Sequence, residues 1–409
     1  MVYFRTINAW VGLALLLALS SCEKFLPPDP GGENVLEGPL DGLTPSQNNQ
    51  FLKGDALFSK IYTPQEGLGP IFIQNSCVGC HTVGGKGIPA NLVTRFAFKN
   101  GNNYDYLLEE GGPQHQTNAI SNYSTELIPE KANVFTKRLP PAVTGFGYIA
   151  AIHDSLILSW EDSSDTNSDG ISGRASYVIP RNNFTPQLIH IERDGKYLAR
   201  FGKKASKIRL IDQVAFALKE DIGITNDFEP YDLYNYKTGV QSVDAIADPE
   251  VTSAVLQNLV FYLRTLKSPP RRNENDPDVL AGEQLFSAIG CISCHRPSFK
   301  TAKSDIEQLS EKEFAPYSDF LLHDMGAGLD DGFTEGAATS FEWRTAPLWG
   351  IGLASSSQGG KKYFLHDGRA SSIEEAVSYH GGEAASRKNA FLKLSPEDKE
   401  KVVKFVESL

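Results

Sequence analysis

Apolar residues recur at intervals of three and four in two segments of the chain, which predicts two amphipathic helices. The first segment follows Asp248-Pro249-Glu250 and ends before Ser268-Pro269-Pro270, because proline cannot continue a helix. The second follows Ser395-Pro396-Glu397-Asp398 and runs to the end of the chain. The apolar positions are Val251, Val255, Leu256, Leu259, Val260 and Leu263 in the first helix and Val402, Val403, Val406 and Leu409 in the second.

A repeated pattern indicates an internal duplication. Gly54-Asp55-Ala56-Leu57-Phe58 and Gly282-Glu283-Gln284-Leu285-Phe286 share the form G-x-x-L-F. The second copy lies in a segment that opens with the cap Asp276-Pro277-Asp278 and keeps helical spacing through Ile289. Each copy precedes a cysteine motif, and each half of the chain closes on one of the two amphipathic helices. The chain is therefore predicted to contain two halves of similar plan.

The two cysteine motifs are Cys77-Val78-Gly79-Cys80-His81 and Cys291-Ile292-Ser293-Cys294-His295, both of the form C-x-x-C-H. In c-type haem attachment two thiols form thioethers with the haem vinyl groups, and the adjacent histidine binds the iron. A shared zinc site would need the two cysteine pairs at one metal, although a long stretch of chain separates them, and a redox dithiol has no use for the histidine. The motifs therefore predict two covalently bound haems, with His81 and His295 as iron ligands.

The first residues have the pattern of an export signal. Arg5 precedes an apolar run from Ala9 to Leu19, which is too short to span a bilayer but fits a secretory signal. Leu19-Ser20-Ser21-Cys22 resembles the lipobox of bacterial lipoproteins, in which Cys22 carries the lipid that anchors the mature chain to a membrane. The alternative is plain secretion. We expect an exported bacterial lipoprotein, periplasmic or attached to the outer membrane.

The charge of the chain limits the kinds of molecule that it is expected to bind. The chain has 409 residues, of which 39 are Lys or Arg and 50 are Asp or Glu, and its net charge is −11. Such a chain does not attract nucleic acid, whereas it suits a basic electron donor such as a small cytochrome or a cupredoxin. Four cysteines are assigned to haem and one to lipid, so no disulfide is expected.

These elements together predict a mainly α fold with two cytochrome c-like haem domains. A helix that leads into C-x-x-C-H and a terminal helix that packs against it make up the cytochrome c plan. The predicted divisions are a lipoprotein signal peptide at 1–22, a proline- and glycine-rich tether at 23–50, an N-terminal haem domain at 51–268 and a C-terminal haem domain at 269–409. The length of the first domain predicts an inserted subdomain between His81 and Asp248.

A loop in this insertion has the opening pattern of a calcium site. Asp165, Asn167 and Asp169 occupy the first, third and fifth positions, and Gly170 follows them. The bidentate acid that usually closes such a loop is missing, because Ser176 stands in its place. Calcium completed by remote ligands is one interpretation, and a solvated loop of Asx turns is the other.

One further histidine is a candidate iron ligand. Ser371 and Ser372 can cap a short helix, and His380 stands on its apolar face just before Gly381-Gly382. An imidazole in such a position is either a hydrogen-bonded core residue or a ligand, and a haem domain favours the ligand. We therefore predict that His380 is the sixth ligand of the second haem.

Several longer stretches resemble one protein family. They include Trp343-Arg344-Thr345-Ala346-Pro347-Leu348-Trp349-Gly350, Phe364-Leu365-His366-Asp367-Gly368-Arg369 and the loop Asp165–Gly173. The chain resembles bacterial di-haem cytochrome c peroxidases from about residue 50 onward, in particular their di-haem oxidoreductase branch of peroxidases and thiol oxidoreductases. In the peroxidases a methionine after F-x-H-D-G binds the electron-transfer haem. His380 stands in that place, which implies a bis-His haem of lower potential.

The sequence departs from this family at two positions that bear on activity. The resemblance leads us to expect an acid where Ala150 stands and a tryptophan where Lys203 stands. Reduction of peroxide needs an openable iron site and a group that moves a proton between the two peroxide oxygens. The candidates near the first haem are His115, Gln114 and Glu126, together with Gln116 and Glu130.

Three functions fit these observations. The first is a di-haem enzyme that reduces peroxide at the first haem with electrons received through the second. The second is a di-haem dehydrogenase of a small reductant, such as a thiol, that passes electrons outward. The third is an electron-carrying haem protein without a substrate. An open coordination position at one iron separates the two enzymes from the carrier.

Overall fold

The structure is a computed structural model, and it describes residues 36–101, 103–181, 183–238 and 246–409. The predicted signal peptide, Cys22 and the first part of the predicted tether lie outside these residues. Within the described ranges, no helix is both long enough and apolar enough to cross a membrane.

Ten α-helices form in the described part of the chain. They are α1 Pro45–Ser59, α2 Phe146–Ala150, α3 Asp154–Leu158, α4 Leu210–Ile222, α5 Ser253–Thr265, α6 Pro277–Ala288, α7 Ala354–Ser357, α8 Ile373–Ser378, α9 Ala385–Leu392 and α10 Pro396–Ser408. Helices hold 32% of the residues and strands 14%, so the fold combines helices with small sheets. The predicted mainly α class is therefore supported only in part.

The strands are short and form five antiparallel sheets. They are β1 Ile71–Phe72, β2 Val93–Asn100, β3 Asn103–Asp105, β4 Asn118–Ala119, β5 Val134–Arg138, β6 Tyr177–Val178, β7 Glu192–Arg193, β8 Lys196–Leu198, β9 Phe299–Lys300, β10 Glu313–Phe314, β11 Leu322–Asp324 and β12 Glu342–Arg344. Two sheets have three strands, in the orders β3-β2-β5 and β6-β8-β7, and the pairs are β1-β4, β9-β10 and β11-β12. Most of these strands are too short to show an alternating pattern in the sequence, which is why the prediction missed them.

Two helix pairs repeat one packing arrangement. Helix α1 packs on α5 and α6 packs on α10, and a glycine lies at each crossing. A Cβ atom on Gly54 would overlap the backbone of Asn258, and one on Gly282 would overlap the backbone of Lys401. The two helices of each pair therefore approach more closely than any larger residue would allow.

An aromatic residue follows each of these glycines in the same position. Phe58 packs on Tyr262 with ring centroids 5.3 Å apart, and Phe286 packs on Phe405 at 5.2 Å. The repeated G-x-x-L-F pattern thus supplies two contacts at each crossing, the glycine and the aromatic ring. The internal duplication read from the sequence has this physical basis.

Capping residues determine where most of the predicted helices begin. Asp276 caps α6, Ser372 caps α8 and Ser395 caps α10, each accepting a backbone N–H from the first turn, as predicted. Helix α5 begins later than the sequence suggested, at Ser253, because Glu250 instead accepts a hydrogen bond from the backbone N–H of Thr225.

Folded structure begins before the predicted end of the tether. Thr44 forms a capping box with Gln47 and starts α1 at Pro45. Leu36, Leu40 and Leu43 are buried. Residues 36–50 therefore belong to the folded body, because their leucines lie in the core.

The core extends across the predicted domain boundary. Its larger part is built around α1, α4 and α5 but also contains Phe299, Ile306, Leu309, Phe320 and Leu321. A smaller cluster surrounds α6 and α10. Residues 36–409 form one compact unit. The division at 268 and 269 stays a prediction, and the segment 299–321 shares the core of the preceding half.

Candidate functional site

A single cavity brings the two cysteine motifs together. Its volume is about 540 Å³, and its walls include all four motif cysteines and both motif histidines. The four thiols are free of disulfide bonds. Because the motifs are distant in sequence and open into the same space, groups bound at each of them would lie in one interior.

The first motif is a tight turn that aims its histidine into this cavity. The backbone N–H groups of Cys80 and His81 both donate to the carbonyl oxygen of Cys77, at 3.1 and 2.9 Å. His81 Nδ1 lies 2.8 Å from the carbonyl oxygen of Pro141. A carbonyl oxygen can only accept, so Nδ1 carries the hydrogen and Nε2 keeps its lone pair for a metal.

The second motif repeats this geometry. The N–H of His295 donates to the carbonyl oxygen of Cys291 at 3.0 Å, and His295 Nδ1 lies 2.8 Å from the carbonyl oxygen of Tyr317. Phe286 lies 6.1 Å from the His295 ring, as Phe58 lies 6.2 Å from that of His81. The duplicated aromatic residue thus links each helix crossing to the imidazole of its motif.

Both motif imidazoles are neutral. Burial lowers the pKa of His81 and that of His295 to about 4, against an opposing contribution from the hydrogen bond to the carbonyl. A neutral imidazole whose Nδ1–H is fixed by a carbonyl is the form in which histidine binds a metal. The residues present therefore fit a haem at each motif, with two thiols for attachment and one oriented imidazole.

His380 lies on the wall of the same cavity as His295. Its Nδ1 is 2.9 Å from the carbonyl oxygen of Ala376, one turn earlier, and burial lowers its pKa. His295 and His380 both line this cavity. His380 thus has the tautomer that an iron ligand requires, and its place as the sixth ligand stays a prediction.

His323 also lines the cavity, and its surroundings differ from those of His380. Its Nε2 lies 2.8 Å from Asp319 and its Nδ1 2.8 Å from Glu383. Although burial alone would lower the pKa of His323, these two carboxylates raise it well above the ordinary value of 6.5. Both ring nitrogens are engaged and the ring is cationic, so His323 is not arranged to bind iron.

Of the three predicted catalytic residues, Gln114 lines the cavity, whereas His115 and Glu126 are not part of its wall. Gln114 Nε2 donates to Asp221 Oδ1 at 2.7 Å and to the carbonyl oxygen of Glu220 at 3.0 Å. His115 turns its Nε2 toward the carbonyl oxygen of Glu126, 3.2 Å away. The geometry does not favour direct contact of His115 or Glu126 with a substrate in the cavity.

Glu126 is nevertheless an unusual carboxyl group. It is 2% exposed, its Oε2 accepts the backbone N–H of Gln116 at 2.8 Å, and its Oε1 is buried without a hydrogen-bond partner. Burial raises its pKa to about 8. A carboxyl group in this environment holds a proton at neutral pH.

Asp221 is an acid of the cavity wall that the sequence analysis did not identify. It stands near the end of α4, and its carbonyl oxygen accepts the N–H groups of Ile73 and Gln74 at 2.8 and 2.9 Å, just before the first motif. Burial raises the pKa of Asp221 to about 6, against the Gln114 hydrogen bond. The sequence could not predict this placement, because no pattern near residue 221 indicates that this acid faces the first motif.

The two departures from the resembled family lie in different environments. Ala150 ends α2 and packs against the apolar core. Lys203 lines the cavity, and its charge acts on His81. Burial, together with the neighbouring cations Lys86, Arg138 and Arg344, lowers the pKa of Lys203 well below 10.5.

The predicted calcium residues lie in a loop of internal hydrogen bonds. Gly170 N–H donates to both carboxylate oxygens of Asp165 at 3.2 Å, Asp169 N–H donates to Asn167 Oδ1 at 2.9 Å, and Ile171 N–H donates to Asp169 Oδ1 at 2.8 Å. Arg387 donates to the carbonyl oxygen of Asp169 at 2.8 Å. Asx turns account for the contacts of Asn167 and Asp169 with the second residue after each, and the calcium prediction stays open.

The family model described as "Di-haem oxidoreductase, putative peroxidase" matches residues 92–409. None of the curated proteins matches. Among solved structures, hydrazine synthase of Kuenenia stuttgartiensis, studied under 20 bar of xenon, is similar over 94% of each chain, with 13% identity and a TM-score of 0.39.

Proposed function

The chain belongs to the di-haem oxidoreductase family of putative peroxidases, and from this premise we propose that it is an exported c-type di-haem enzyme that reduces peroxide. Cys77 and Cys80 attach one haem, and Cys291 and Cys294 attach the other. His81 and His295 bind the two irons. His380 closes the second site, and peroxide reacts at the first.

One observation carries this proposal, the different surroundings of the two motifs in one cavity. The second motif has His380 beside it, with its Nε2 lone pair available. Of the other described histidines on the wall, His323 is held by two carboxylates, and His366 stacks on Trp343 with ring centroids 3.9 Å apart. We therefore place the small substrate at the first motif, where the proposed enzyme requires an open position.

The chemistry needs both electrons and protons. Hydrogen peroxide takes up two electrons and two protons to give two molecules of water, and the haem irons would supply the electrons. Asp221 has a pKa near 6 and can hold or release a proton at a neutral pH, while Gln114 fixes its carboxyl group at 2.7 Å. Asp221 thereby provides an acid that position 150 lacks.

The test uses the holoprotein with two attached haems, counted by mass spectrometry. We expect it to reduce hydrogen peroxide with a reduced small cytochrome or cupredoxin as donor. Asp221→Asn should lower kcat about 100-fold or more, because general acid–base catalysis contributes at least that much. Asp41→Asn, at a residue whose side chain is 96% exposed, serves as the matched control.

Other outcomes would favour the alternative functions. If the loaded protein did not turn over peroxide but small thiols reduced its haems, a dehydrogenase would replace the peroxidase. If neither reaction occurred and both irons were low-spin, the chain would be an electron carrier. Finding fewer than two attached haems in a host competent for cytochrome maturation would contradict the architecture itself.

We also propose that the enzyme is anchored to a membrane and that it binds calcium. Lipid on Cys22 anchors the enzyme to a membrane outside the cytoplasm, where haem attachment and a small electron donor are available. Cys22→Ser should release the protein from the membrane fraction, and unchanged association would point to a different anchor. Calcium binds at Asp165, Asn167 and Asp169, with the remaining ligands supplied from elsewhere.

A further inference from the structure

The cavity has a charge opposite to that of the chain. Seven lysine and arginine side chains and two carboxylates line it, although the whole chain has 39 lysines and arginines and 50 acidic residues. Concentrating cations in an interior is unfavourable unless an anion accompanies them. The excess therefore indicates that something negatively charged belongs in the cavity.

Some of these cations already have partners. Arg95 and Arg138 both pair with Glu335, at 2.8 and 2.6 Å, and Arg138 also pairs with Asp331 at 3.0 Å. These arginines are compensated by the protein itself. The excess of charge must come from other side chains.

Of the other cations on the wall, Arg387 pairs with Asp169 at 3.7 Å, and Lys388 acts on His380 at the second motif. The remaining three, Lys86, Lys203 and Arg344, are called here the cation patch. Within the described part of the chain, none of the three forms an ion pair with a carboxylate. Arg344 donates only to backbone carbonyls, those of Gly202 and Thr345, at 3.0 and 3.1 Å. Lys86 has its Nζ 5.5 Å from the ring of Phe364.

The acids nearest to the cation patch are already engaged. The carboxylate of Asp367 favours the charged form of Lys203, but it already forms an ion pair with Arg369 at 2.7 Å. The carboxylate of Asp319 favours the charged form of Arg344, but it already pairs with the His323 ring at 2.8 Å. Burial lowers the pKa of Lys86 to about 8 and that of Arg344 to about 10, as expected for cations that lack an anion.

The fold brings these three residues together beside the first motif. Lys86 follows the motif by five residues, and the next N–H, that of Gly87, donates to Pro140 at 3.0 Å. The N–H of Arg344 donates to the carbonyl oxygen of Lys203 at 3.0 Å, which joins the second and third members. Besides burial, the charge of Lys203 lowers the pKa of His81. The cation patch therefore faces the space that a group attached to Cys77 and Cys80 would fill.

We infer that the cation patch of Lys86, Lys203 and Arg344 binds the propionate carboxylates of the haem at the first motif. Each haem carries two such carboxylates, and guanidinium and ammonium groups are their natural partners in an interior. The inference rests on the proposed attachment of haem to Cys77 and Cys80. A free anion, such as an anionic substrate, is the other source of the same chemistry.

The experiment compares Lys203→Met and Lys86→Met with Lys203→Arg as the conservative variant and Lys53→Met as an exposed control. Mass spectrometry first establishes that each holoprotein carries two haems. Resonance Raman spectra then report the propionate bending modes, and potentiometric titration gives the two reduction potentials. In the His380→Met protein only the reduction potential of the second haem should shift. This variant therefore shows which of the two potentials belongs to which haem.

We expect Lys203→Met and Lys86→Met to shift the propionate bands and to lower the potential of the first haem, because removing a nearby positive charge favours ferric iron. Lys203→Arg should restore both signals, and Lys53→Met should leave them unchanged. Unchanged bands and potentials in both methionine variants, with two haems attached, would overturn the inference alone. A protein without haem at the first motif would overturn the proposed function as well.

Titration with formate separates the two sources of the anion. If the propionates occupy the cation patch, any response of the wild-type spectrum to formate, including binding at an open iron, should persist in Lys203→Met. If wild-type protein bound formate and Lys203→Met lost that binding without any shift of the propionate bands, the cation patch would be a site for a free anion, and the haem assignment would be wrong.

Discussion

His380 donates its Nδ1 hydrogen to the carbonyl oxygen of Ala376, 2.9 Å away and one helical turn earlier. The same contact, an imidazole held by a backbone carbonyl, orients the motif histidines at 2.8 Å. Three imidazoles on one cavity wall therefore present Nε2 in the form that binds a metal. Two of them belong to C-x-x-C-H motifs, and the third is the predicted sixth ligand.

Substitution of His380 should change the second haem only. His380→Met should raise its reduction potential, because a thioether favours ferrous iron more than an imidazole does. His380→Gly should open the iron and convert that haem toward high spin, visible by EPR and optical spectroscopy. An unchanged spectrum and potential in His380→Gly would make Met325 the leading alternative, because its thioether also lines the cavity whereas His323 is held by two carboxylates.

Glu126 should make the protein less stable as the pH rises. Below pH 4.5 the carboxyl group is protonated in both the folded and the unfolded chain. Between pH 4.5 and about 8 the unfolded chain ionises at this position while the folded chain stays protonated, so the folded state loses stability. Above that range the loss is constant.

Glu126→Gln should therefore raise the melting temperature at pH 8 and have little effect at pH 4.5. The gain at neutral pH should be roughly 3 kcal/mol at most, since one pKa unit corresponds to about 1.4 kcal/mol. Glu130→Gln, at an exposed neighbour, is the matched control. Equal melting temperatures for the wild type and Glu126→Gln at both pH values would show that the carboxyl group is hydrated in solution.

The sequence predicted those features that depend on local patterns. The capped helix starts at Asp276, Ser372 and Ser395 could be read because a cap acts within one turn. The two C-x-x-C-H motifs could be read because attachment chemistry fixes their spacing. Both kinds of signal lie within a few consecutive residues.

The cavity wall could not be predicted in the same way. Lys86, Asp221 and Arg344 come from separate parts of the chain, and only the packing of α4 and the turns between strands places them on one surface. A single buried lysine or aspartate has the same appearance in a sequence as an exposed one. The packing of segment 299–321 on the core of the preceding half could not be predicted for a similar reason. Its apolar residues carry no signal that says which part of the chain they will contact.

Calcium removal tests the loop Asp165–Gly173. If Asp165, Asn167 and Asp169 hold an ion, a chelator should lower the melting temperature of calcium-loaded holoprotein, because the ion binds only the folded chain. At one hundred times the Kd the ion contributes about 2.7 kcal/mol, which corresponds to a shift of several degrees. The double variant Asp165→Asn/Asp169→Asn should lose this response, whereas Asp194→Asn, at an exposed loop residue, should keep it. An identical melting temperature with and without chelator in the wild type would favour Asx turns alone.

Gly282 should be the most sensitive position of α6. Replacing a helical glycine with alanine ordinarily stabilises a protein by about 0.5–1 kcal/mol, because glycine loses more backbone entropy on folding. At Gly282 the added methyl group would overlap the backbone of Lys401 in α10, which cannot yield as a side chain can. We therefore expect Gly282→Ala to destabilise the holoprotein by about 2–3 kcal/mol through separation of the two helices.

Gly54→Ala should act in the same manner on α1 and α5, because the methyl group would overlap the backbone of Asn258. Gly38→Ala is the matched control, since its nearest neighbour is the end of the Lys267 side chain at 3.5 Å. Melting temperatures of the three holoproteins decide the matter. Destabilisation at both helix crossings, but not at Gly38, would show that the two halves rely on the same close approach. A gain in stability at Gly282 or Gly54, as at an ordinary helical glycine, would contradict it.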